Sequence, residues 1–385
     1  MFSRDELAAW LRLCSTPGIS RASARKLLAA LGSAERVLAA DEPTLLSLTG
    51  RDVVRALKRR DARDDANLAA TRRWLDSASA DVPRDVVTLG DPRYPALLLE
   101  TADPPLLLFT LGRVELLSVP SVAIVGSRLA TPQGMDNAHA FARFLSEHRL
   151  TIVSGLALGI DGAAHEGGMD GPGSTVAFVG TGLDRVYPTT HGDLMRRIAE
   201  QGLVASEYPL GTPPMPDNFP RRNRLIAGIT RGTLVVEAAL ESGSLITARM
   251  AVESGRDVFA IPGSIHSPQS RGCHRLIQEG AKLVESGDDV LRELRFGPQG
   301  ETRRATLSPA QPSLFAAITA HDPDPDDGPD GALRAALGHD PVTFDALAAR
   351  TGLPSDQLAA RLLELELAGV VERLPGGLLQ RRARA

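Results

Sequence analysis

Three arginines and one asparagine occupy four consecutive positions in the stretch FPRRNRLIAGIT, residues 219–230. Arg221, Arg222 and Arg224 each carry a guanidinium fork that suits phosphate or carboxylate oxygens, and Asn223 adds an amide donor and acceptor. An apolar run follows directly. These residue types at this spacing predict a binding site for an anion, and a phosphate chain fits the repeated positive charges.

Internal ion pairing is the alternative for this cluster. Glu237 or Asp184 could accept a salt bridge from one of the three arginines. Acidic residues are scarce between 210 and 232, so we do not expect carboxylates of the protein to occupy all three.

Four loops rich in glycine and small polar residues follow predicted strands, at 125–128, 154–161, 180–188 and 237–244. Loops at the carboxyl ends of parallel strands are where α/β proteins bind ligands, and glycine lets a phosphate approach the backbone. Together with the arginines, these loops predict a positively charged groove. The candidate contact residues in the loops are Gly126, Ser127, Arg128, Gly155, Gly159, Asp184, Tyr187, Ser242, Gly243 and Ser244.

Patterns that would indicate an enzyme are weak. The G-x-G-x-x-G fingerprint is incomplete at 180–185, and no P-loop or G-x-S-x-G motif is present. Asp161 and His165 have the spacing of a carboxylate–imidazole pair, although a hydrogen-bonded histidine in the protein interior explains them as well. The histidines do not have metal-ligand spacing, so we predict neither a metal nor a cofactor.

Composition indicates a globular protein of several domains. The chain has 385 residues, 43% of them hydrophobic, and a net charge of −4. Its two cysteines leave no disulfide framework, and we find neither a signal-peptide layout nor an apolar run long enough to span a membrane. We predict a cytoplasmic protein that meets an acidic partner through local clusters of positive charge.

The positions between about 84 and 297 alternate short β-rich runs with helical segments. This alternation is typical of a parallel sheet covered by helices on both faces. We therefore predict a multidomain α/β protein whose central domain, 84–297, is a Rossmann-like, doubly wound parallel sheet.

Residues 1–75 read as short helices separated by small-residue turns such as Pro17-Gly18. They hold 14 basic and 9 acidic residues. The pattern is that of a SAM-like or helix-hairpin-helix domain, which touches nucleic-acid backbone through its hairpins. A helical bundle used for packing or protein contacts is the alternative.

The C-terminal part begins with an acidic, Pro/Gly-rich segment, 298–330, which we predict to be a flexible linker. Residues 331–385 have the layout of a winged helix. The predicted third helix carries Asp356, Glu364 and Glu366, which argues against insertion into a DNA groove and favours a protein contact.

Several motifs resemble the DprA/Smf (DNA-processing protein A) family. They are AIVGSR at 123–128, SGLALGIDGAAH at 154–165, FPRRNRLIAG at 219–228, VVEAALESGSLITA at 235–248, FAIPG at 259–263 and SRGCHRLI at 270–277. Their order covers the whole predicted Rossmann-like domain, and the helical head and winged-helix tail agree with long members of that family.

The resemblance implies a single-stranded DNA-binding recombination mediator without enzymatic activity. Such a protein protects incoming DNA during natural transformation and loads RecA onto it, even against single-strand-binding protein, as a homodimer formed through the Rossmann-like domain. Arg128 should contact the DNA backbone, residues 221–224 should continue the groove, and duplex DNA is a further option for residues 1–75. Thr189 departs from the basic residue that is common after Tyr-Pro in the family.

A nucleotide-processing enzyme is the alternative function. The Gly/Ser-rich loop after Val235-Val236-Glu237 partly matches Rossmann-type phosphoribohydrolases, which release a base from nucleoside monophosphates. Those enzymes use a glycine-richer phosphate loop, so the match is incomplete.

Overall fold

A computed structural model describes residues 3–59, 62–296, 331–338, 341–374 and 377–381. The chain forms two compact units, the first comprising residues 1–130, 134–262 and 268–285 and the second comprising residues 131–133, 263–267 and 286–385. The linker predicted at 298–330 lies outside the described residues.

The first unit begins with helices and continues with strands and helices that alternate along the chain. Its helices are α1 (Arg4–Ser15), α2 (Arg21–Leu31), α3 (Ala34–Ala39), α4 (Glu42–Leu48), α5 (Arg51–Lys58), α6 (Ala62–Asp76), α7 (Ala96–Leu99), α8 (Pro132–Glu147), α9 (Ile160–Met169), α10 (Gly192–Gln201), α11 (Asn218–Ile229), α12 (Gly243–Glu253) and α13 (Arg271–Gln278). Its strands are β1 (Arg84–Thr88), β2 (Leu107–Gly112), β3 (Ser121–Val125), β4 (Thr151–Ser154), β5 (Thr175–Phe178), β6 (Leu203–Ser206), β7 (Gly232–Val235), β8 (Asp257–Ala260) and β9 (Lys282–Leu283).

The nine strands form one mixed sheet in the order β1-β2-β6-β5-β4-β3-β7-β8-β9. Strands β3 to β9 pair in parallel, whereas β2 pairs antiparallel with β6 and with β1. The chain leaves β3 in one direction through β4, β5 and β6, then returns to the other side of β3 as β7. The predicted fold class, a central and largely parallel α/β sheet, is confirmed.

The two faces of the sheet carry separate hydrophobic cores because successive strand residues point to opposite sides. On β5 and β6, Ala177 and Val204 belong to a cluster with α10, whereas Phe178 and Ala205 belong to a cluster with α11 and α12. Helices therefore cover both faces, which is the doubly wound arrangement.

The N-terminal helices share the first of these cores. Trp10, Leu27 and Trp74 lie in the same buried cluster as Phe109 of β2 and Ile198 of α10. Six helices are described between Arg4 and Asp76, and they pack on the sheet within the first unit instead of forming a separate body.

The second unit contains helix α14 followed by a three-helix and hairpin arrangement. It consists of α14 (Gly287–Glu293), α15 (Gly331–Leu337), α16 (Phe344–Thr351), α17 (Ser355–Leu367), β10 (Val371–Arg373) and β11 (Leu379–Arg381), with β10 and β11 antiparallel. Leu333, Leu347, Leu362 and Leu379 share one core across α15 to β11. This is the winged-helix layout that the sequence predicts.

Candidate nucleic-acid interface

A cavity of about 470 Å³ opens where the sheet order reverses, between the loops that follow β3 and β7. This reversal point is the usual ligand site of an open α/β sheet, since the two loops diverge there. Its walls come mainly from five elements: the β3 loop, the β4 loop, the β7 loop, α11 and the start of α12. The lining includes Gly126, Ser127, Arg128, Leu129, Ala157, Asp161, Arg222, Asn223, Ile226, Glu241, Ser242, Gly243, Ser244 and Gln269.

The predicted glycines allow the loops to pack this closely. A Cβ on Gly126 would lie 2.5 Å from Ile160 Cγ1, and a Cβ on Gly159 would overlap the carbonyl oxygen of Ser127. Gly159 also has φ +73°, a backbone conformation that L side chains adopt at a cost. The β3 and β4 loops can meet beside the cavity only with glycine at these positions.

The serines stabilise the loops that line the cavity. The amide of Ser127 donates to the carbonyl of Glu237, 2.8 Å away, and its hydroxyl accepts from the amide of Leu129 at 3.1 Å. Ser242 caps α12 by accepting from the amide of Ser244. The first turn of α12, beginning at Gly243, therefore directs its positive dipole end into the cavity, which favours a bound anion.

Arg222 lines the cavity, but its guanidinium donates to groups of the protein itself. Its side chain is buried, lies over Gly155 and donates from Nη1 to the carbonyls of Gly155 and Phe178. Burial lowers the pKa of its guanidinium to about 10, although the charge of Asp161 favours the protonated form. This contact differs from the sequence expectation of an external anion. Two backbone carbonyls at strand ends accept the hydrogen bonds of Arg222, and residue types alone do not identify such acceptors.

Arg224 also makes internal contacts. It donates to the carbonyl of Asp103 at 2.6 Å and forms an ion pair with Glu207, which follows β6. The sequence expectation considered only acidic residues between 210 and 232. It did not predict these contacts, because Asp103 and Glu207 both lie outside that window. Two of the three arginines in the opening cluster are thus engaged inside the protein.

Arg128 and Asn223 remain available at the site, and Arg221 is exposed on α11 outside the cavity lining. Arg221 and Arg128 are exposed, and within the described ranges no side-chain hydrogen bond or ion pair engages either guanidinium. Asn223 is half-buried and lines the cavity. These three residues can donate to phosphate or base atoms without first breaking an internal bond.

A row of one cation and two aromatic rings lies beside the cavity. The guanidinium carbon of Arg128 is 5.7 Å from the centroid of the Phe219 ring, and that ring is 5.2 Å from the ring of Tyr187. Tyr187 is 42% exposed. Faces of this kind can stack nucleobases, although the low aromatic content of the chain gave no reason to expect a platform.

The third predicted loop contributes differently from its neighbours. The Asp184 carboxylate is exposed and accepts a 2.7 Å hydrogen bond from the amide of Gly211, which stabilises the loop. Asp184 does not line the cavity, and a carboxylate would repel phosphate. The sequence predicted Asp184 as a contact residue of the anion site, whereas the contact that the structure shows for Asp184 stabilises a loop.

Asp161 and His165 do not form a catalytic pair. The Asp161 carboxylate accepts from the amides of Gly155 and Ala157, and burial raises its pKa despite Arg222 and these hydrogen bonds. His165 is fully buried, and its Nε2 accepts from the amide of Leu156. Burial lowers the pKa of His165 to about 3, so the imidazole is neutral and its role is structural.

The described residues contain no cluster of His, Cys, Asp or Glu that could hold a metal ion. Glu241, which belongs to the predicted loop at 237–244, lines the cavity. Sequence reasoning missed Gln269 and Ile226 as lining residues and Asp103 and Glu207 as partners of Arg224, because only the fold brings these residues near.

The family model for DNA recombination-mediator protein A matches residues 85–295, more than half of the chain. The chain belongs to this family. A second model, the DprA winged helix domain, matches residues 303–377.

Relatives agree with this assignment. Protein Smf of Escherichia coli is 42% identical over 292 residues, 75% of either chain. An X-ray structure of DNA processing protein A from Streptococcus pneumoniae superposes with a TM-score of 0.63 at 38% identity, covering 76% of this chain and 98% of that one. The Helicobacter pylori protein of the same name, solved to describe its single-stranded DNA binding mode, gives a TM-score of 0.50 at 30% identity, covering 55% and 95%.

The resemblance to the DprA/Smf family is therefore confirmed. None of the helices in the described ranges combines the length and the apolar character that a membrane crossing requires.

Proposed function

We propose that the chain binds single-stranded DNA at the cavity between the β3 and β7 loops. The observation that carries this proposal is the set of donors around one opening: Arg128 at the rim, Asn223 on the wall and the N-terminus of α12, with the exposed Arg221 on α11 outside the cavity lining. Phosphates would contact the two arginines, and one base would enter the cavity or stack on the row of Phe219 and Tyr187.

Single strands fit this site better than duplex DNA does. An opening of about 470 Å³ accepts one nucleotide but not a base pair with its backbones. The aromatic row offers ring faces on which bases can stack. Base faces are accessible in an unpaired strand and hidden in a duplex. The Helicobacter pylori relative, described for its single-stranded DNA binding mode, supports this choice.

The biological role that we propose is recombination mediation during natural transformation. The protein would protect incoming single strands, deliver them to RecA in competition with single-strand-binding protein, and act in the cytoplasm. Membership of a recombination-mediator family supports this role. The N-terminal helices would add a weaker contact with DNA backbone, including duplex DNA.

We propose a homodimer formed through the Rossmann-like sheet. Strand β9 lies at one edge of the sheet, its outer side is not paired with any strand among the described residues, and Leu283 on it is 50% exposed. An exposed apolar residue on a sheet edge suits pairing with a second copy. Leu283→Arg should therefore convert a dimer to a monomer in light scattering, and a variant that still dimerises would refute this edge.

The central test is binding of a fluorescent single-stranded oligonucleotide, measured by anisotropy from 50 to 200 mM salt, with a duplex of equal length alongside. Arg128→Ala and Arg221→Ala should each weaken single-strand binding by about tenfold and reduce the salt slope by about 0.7 per lost phosphate contact. Arg143→Ala is the matched control, because this exposed arginine lies late on α8 and does not line the cavity. Wild-type affinity in both Arg128→Ala and Arg221→Ala would reject the site.

The absence of catalysis is part of the proposal and needs its own assay. Glu241 and the Ser242–Ser244 turn lie at the cavity, so a phosphoribohydrolase-like activity is the competing function. Incubation with nucleoside monophosphates should release no free base. Base release that disappears in Glu241→Gln would favour the enzyme.

A further inference from the structure

Three arginines and two carboxylates form a partly buried cluster next to α11, the helix that forms one wall of the cavity. We call it the junction cluster: Arg21, Arg25, Asp103, Glu207 and Arg224. Arg21 and Arg25 lie one helical turn apart on α2, Asp103 lies before β2, Glu207 follows β6, and Arg224 lies on α11. The cluster thus connects the N-terminal helices, the sheet and α11.

Asp103 is the shared acceptor. Arg21 Nε donates to its Oδ2 at 2.6 Å and Arg25 Nη1 donates to its Oδ1 at 2.7 Å, while Arg224 Nη1 donates to its backbone carbonyl. Burial alone would raise the pKa of Asp103, but the hydrogen bonds from Arg21 and Arg25 and the charge of Arg224 lower it. The carboxylate is therefore charged at neutral pH and binds all three cations.

Glu207 is the more buried carboxylate, with its side chain 11% exposed. It pairs with Arg224 and lies 3.5 Å from Arg21 Nη1. A buried charge that loses one partner costs several kcal/mol, so the cluster strongly favours one arrangement of its side chains. Moving Arg224 out of the cluster would therefore carry a large free-energy cost.

This arrangement fixes the orientation of α11. Side chains on a helix turn by about 100° per residue, so holding Arg224 against the junction cluster and Arg222 against the strand ends determines where Arg221 and Asn223 point. We propose that Arg21, Arg25 and Asp103 are positioning residues for single-stranded DNA binding: through Arg224 they hold Asn223, which lines the cavity, toward the ligand. This inference rests on the proposed function of that site.

A direct phosphate contact is the competing explanation, since three cations face two carboxylates. Asp103→Asn separates the two. Removing the carboxylate frees positive charge, so a phosphate-binding cluster would gain affinity, whereas a positioning cluster would lose its shared acceptor and bind about tenfold more weakly.

The experiment compares the full-length wild type, Asp103→Asn and the double variant Arg21→Ala/Arg25→Ala. Arg143→Ala/Arg196→Ala is the matched control, because it removes two exposed arginines that lie outside both the N-terminal helices and the cavity lining. Single-strand affinity is measured over a salt series, and amide hydrogen exchange is followed on α11. We expect weaker binding with an unchanged salt slope, and faster exchange confined to α11 and its neighbours.

Affinity equal to wild type in Asp103→Asn, a gain in affinity, or a salt slope reduced by about 0.7 per arginine in the double variant would each overturn the inference. If the wild type binds no single-stranded DNA, the proposed function fails instead. Exchange on α11 then still reports whether the cluster holds the helix.

Discussion

Replacing Arg222 by alanine should destabilise the first unit, whereas replacing its neighbour Arg221 should not. Arg222 is 4% exposed and donates to the carbonyls of Gly155 and Phe178. Arg221 is exposed and makes no such contact. The two residues are adjacent and chemically identical, so each is the control for the other.

The expected loss follows from the contacts. Two hydrogen bonds to a charged donor contribute about 1.5–3 kcal/mol each. Arg222→Ala opens onto the cavity, where water can reach the freed carbonyls and the buried Asp161, so we expect the lower part of this range, about 3–4 kcal/mol. Arg221→Ala should change the free energy of unfolding by less than about 0.5 kcal/mol.

Tryptophan fluorescence is a suitable assay. Trp10 and Trp74 are the two tryptophans of the chain, and both lie in the core of the first unit, so urea unfolding followed by fluorescence reports on that unit. A loss of 3–4 kcal/mol also lowers Tm by roughly 6 to 16 °C, at about 2–4 °C per kcal/mol. An Arg222→Ala protein as stable as Arg221→Ala would refute the structural role of the buried guanidinium.

Two further predictions concern the same region. Gly159→Ala should cost about 2 kcal/mol or more and weaken DNA binding, since its φ is +73° and its Cβ would overlap the β3 loop, while Gly243→Ala, with nothing within 4 Å of the new Cβ, should be nearly neutral by the same unfolding and anisotropy assays. His165→Gln should flatten the fall in stability toward acid pH. The native imidazole titrates near pH 3 and the unfolded one near 6.5, so unfolding takes up a proton in this window and the wild type should lose about 1.4 kcal/mol more per pH unit than the variant. Asp161, whose pKa is raised, acts in the opposite direction in both proteins and cancels in the comparison; equal slopes would contradict a buried neutral histidine.

The sheet could be predicted from the sequence because its information is local. Alternation of β-rich runs with helices, and glycines directly after strands, fix a doubly wound sheet and the edge at which a ligand binds. Gly126, Ser127 and Arg128 were therefore found as a group, and the structure places all three at the cavity.

Side-chain partners could not be predicted in the same way. Arg222 binds backbone carbonyls at the ends of β4 and β5, and backbone carbonyls exist at every position of a sequence. Glu207 and Asp103 lie 17 and 121 residues before Arg224. Counting acids within a local window cannot detect either kind of partner.

Helical geometry explains why a run of arginines does not make a uniform charged wall. Four consecutive residues on α11 point in four directions, so residues 221–224 cannot all face one ligand. Arg222 and Arg224 donate to groups inside the protein, where they hold the helix at two places, whereas Asn223 lines the cavity and Arg221 is exposed outside the cavity lining. Because Arg222 and Arg224 make internal contacts, the site has two fewer positive charges, but the directions of its remaining donors are fixed. A fixed donor loses less conformational entropy when it binds phosphate than a free surface arginine does. The same reasoning predicts that adding positive charge at the rim would not replace a lost internal arginine, because the rim donors would then lack a defined direction.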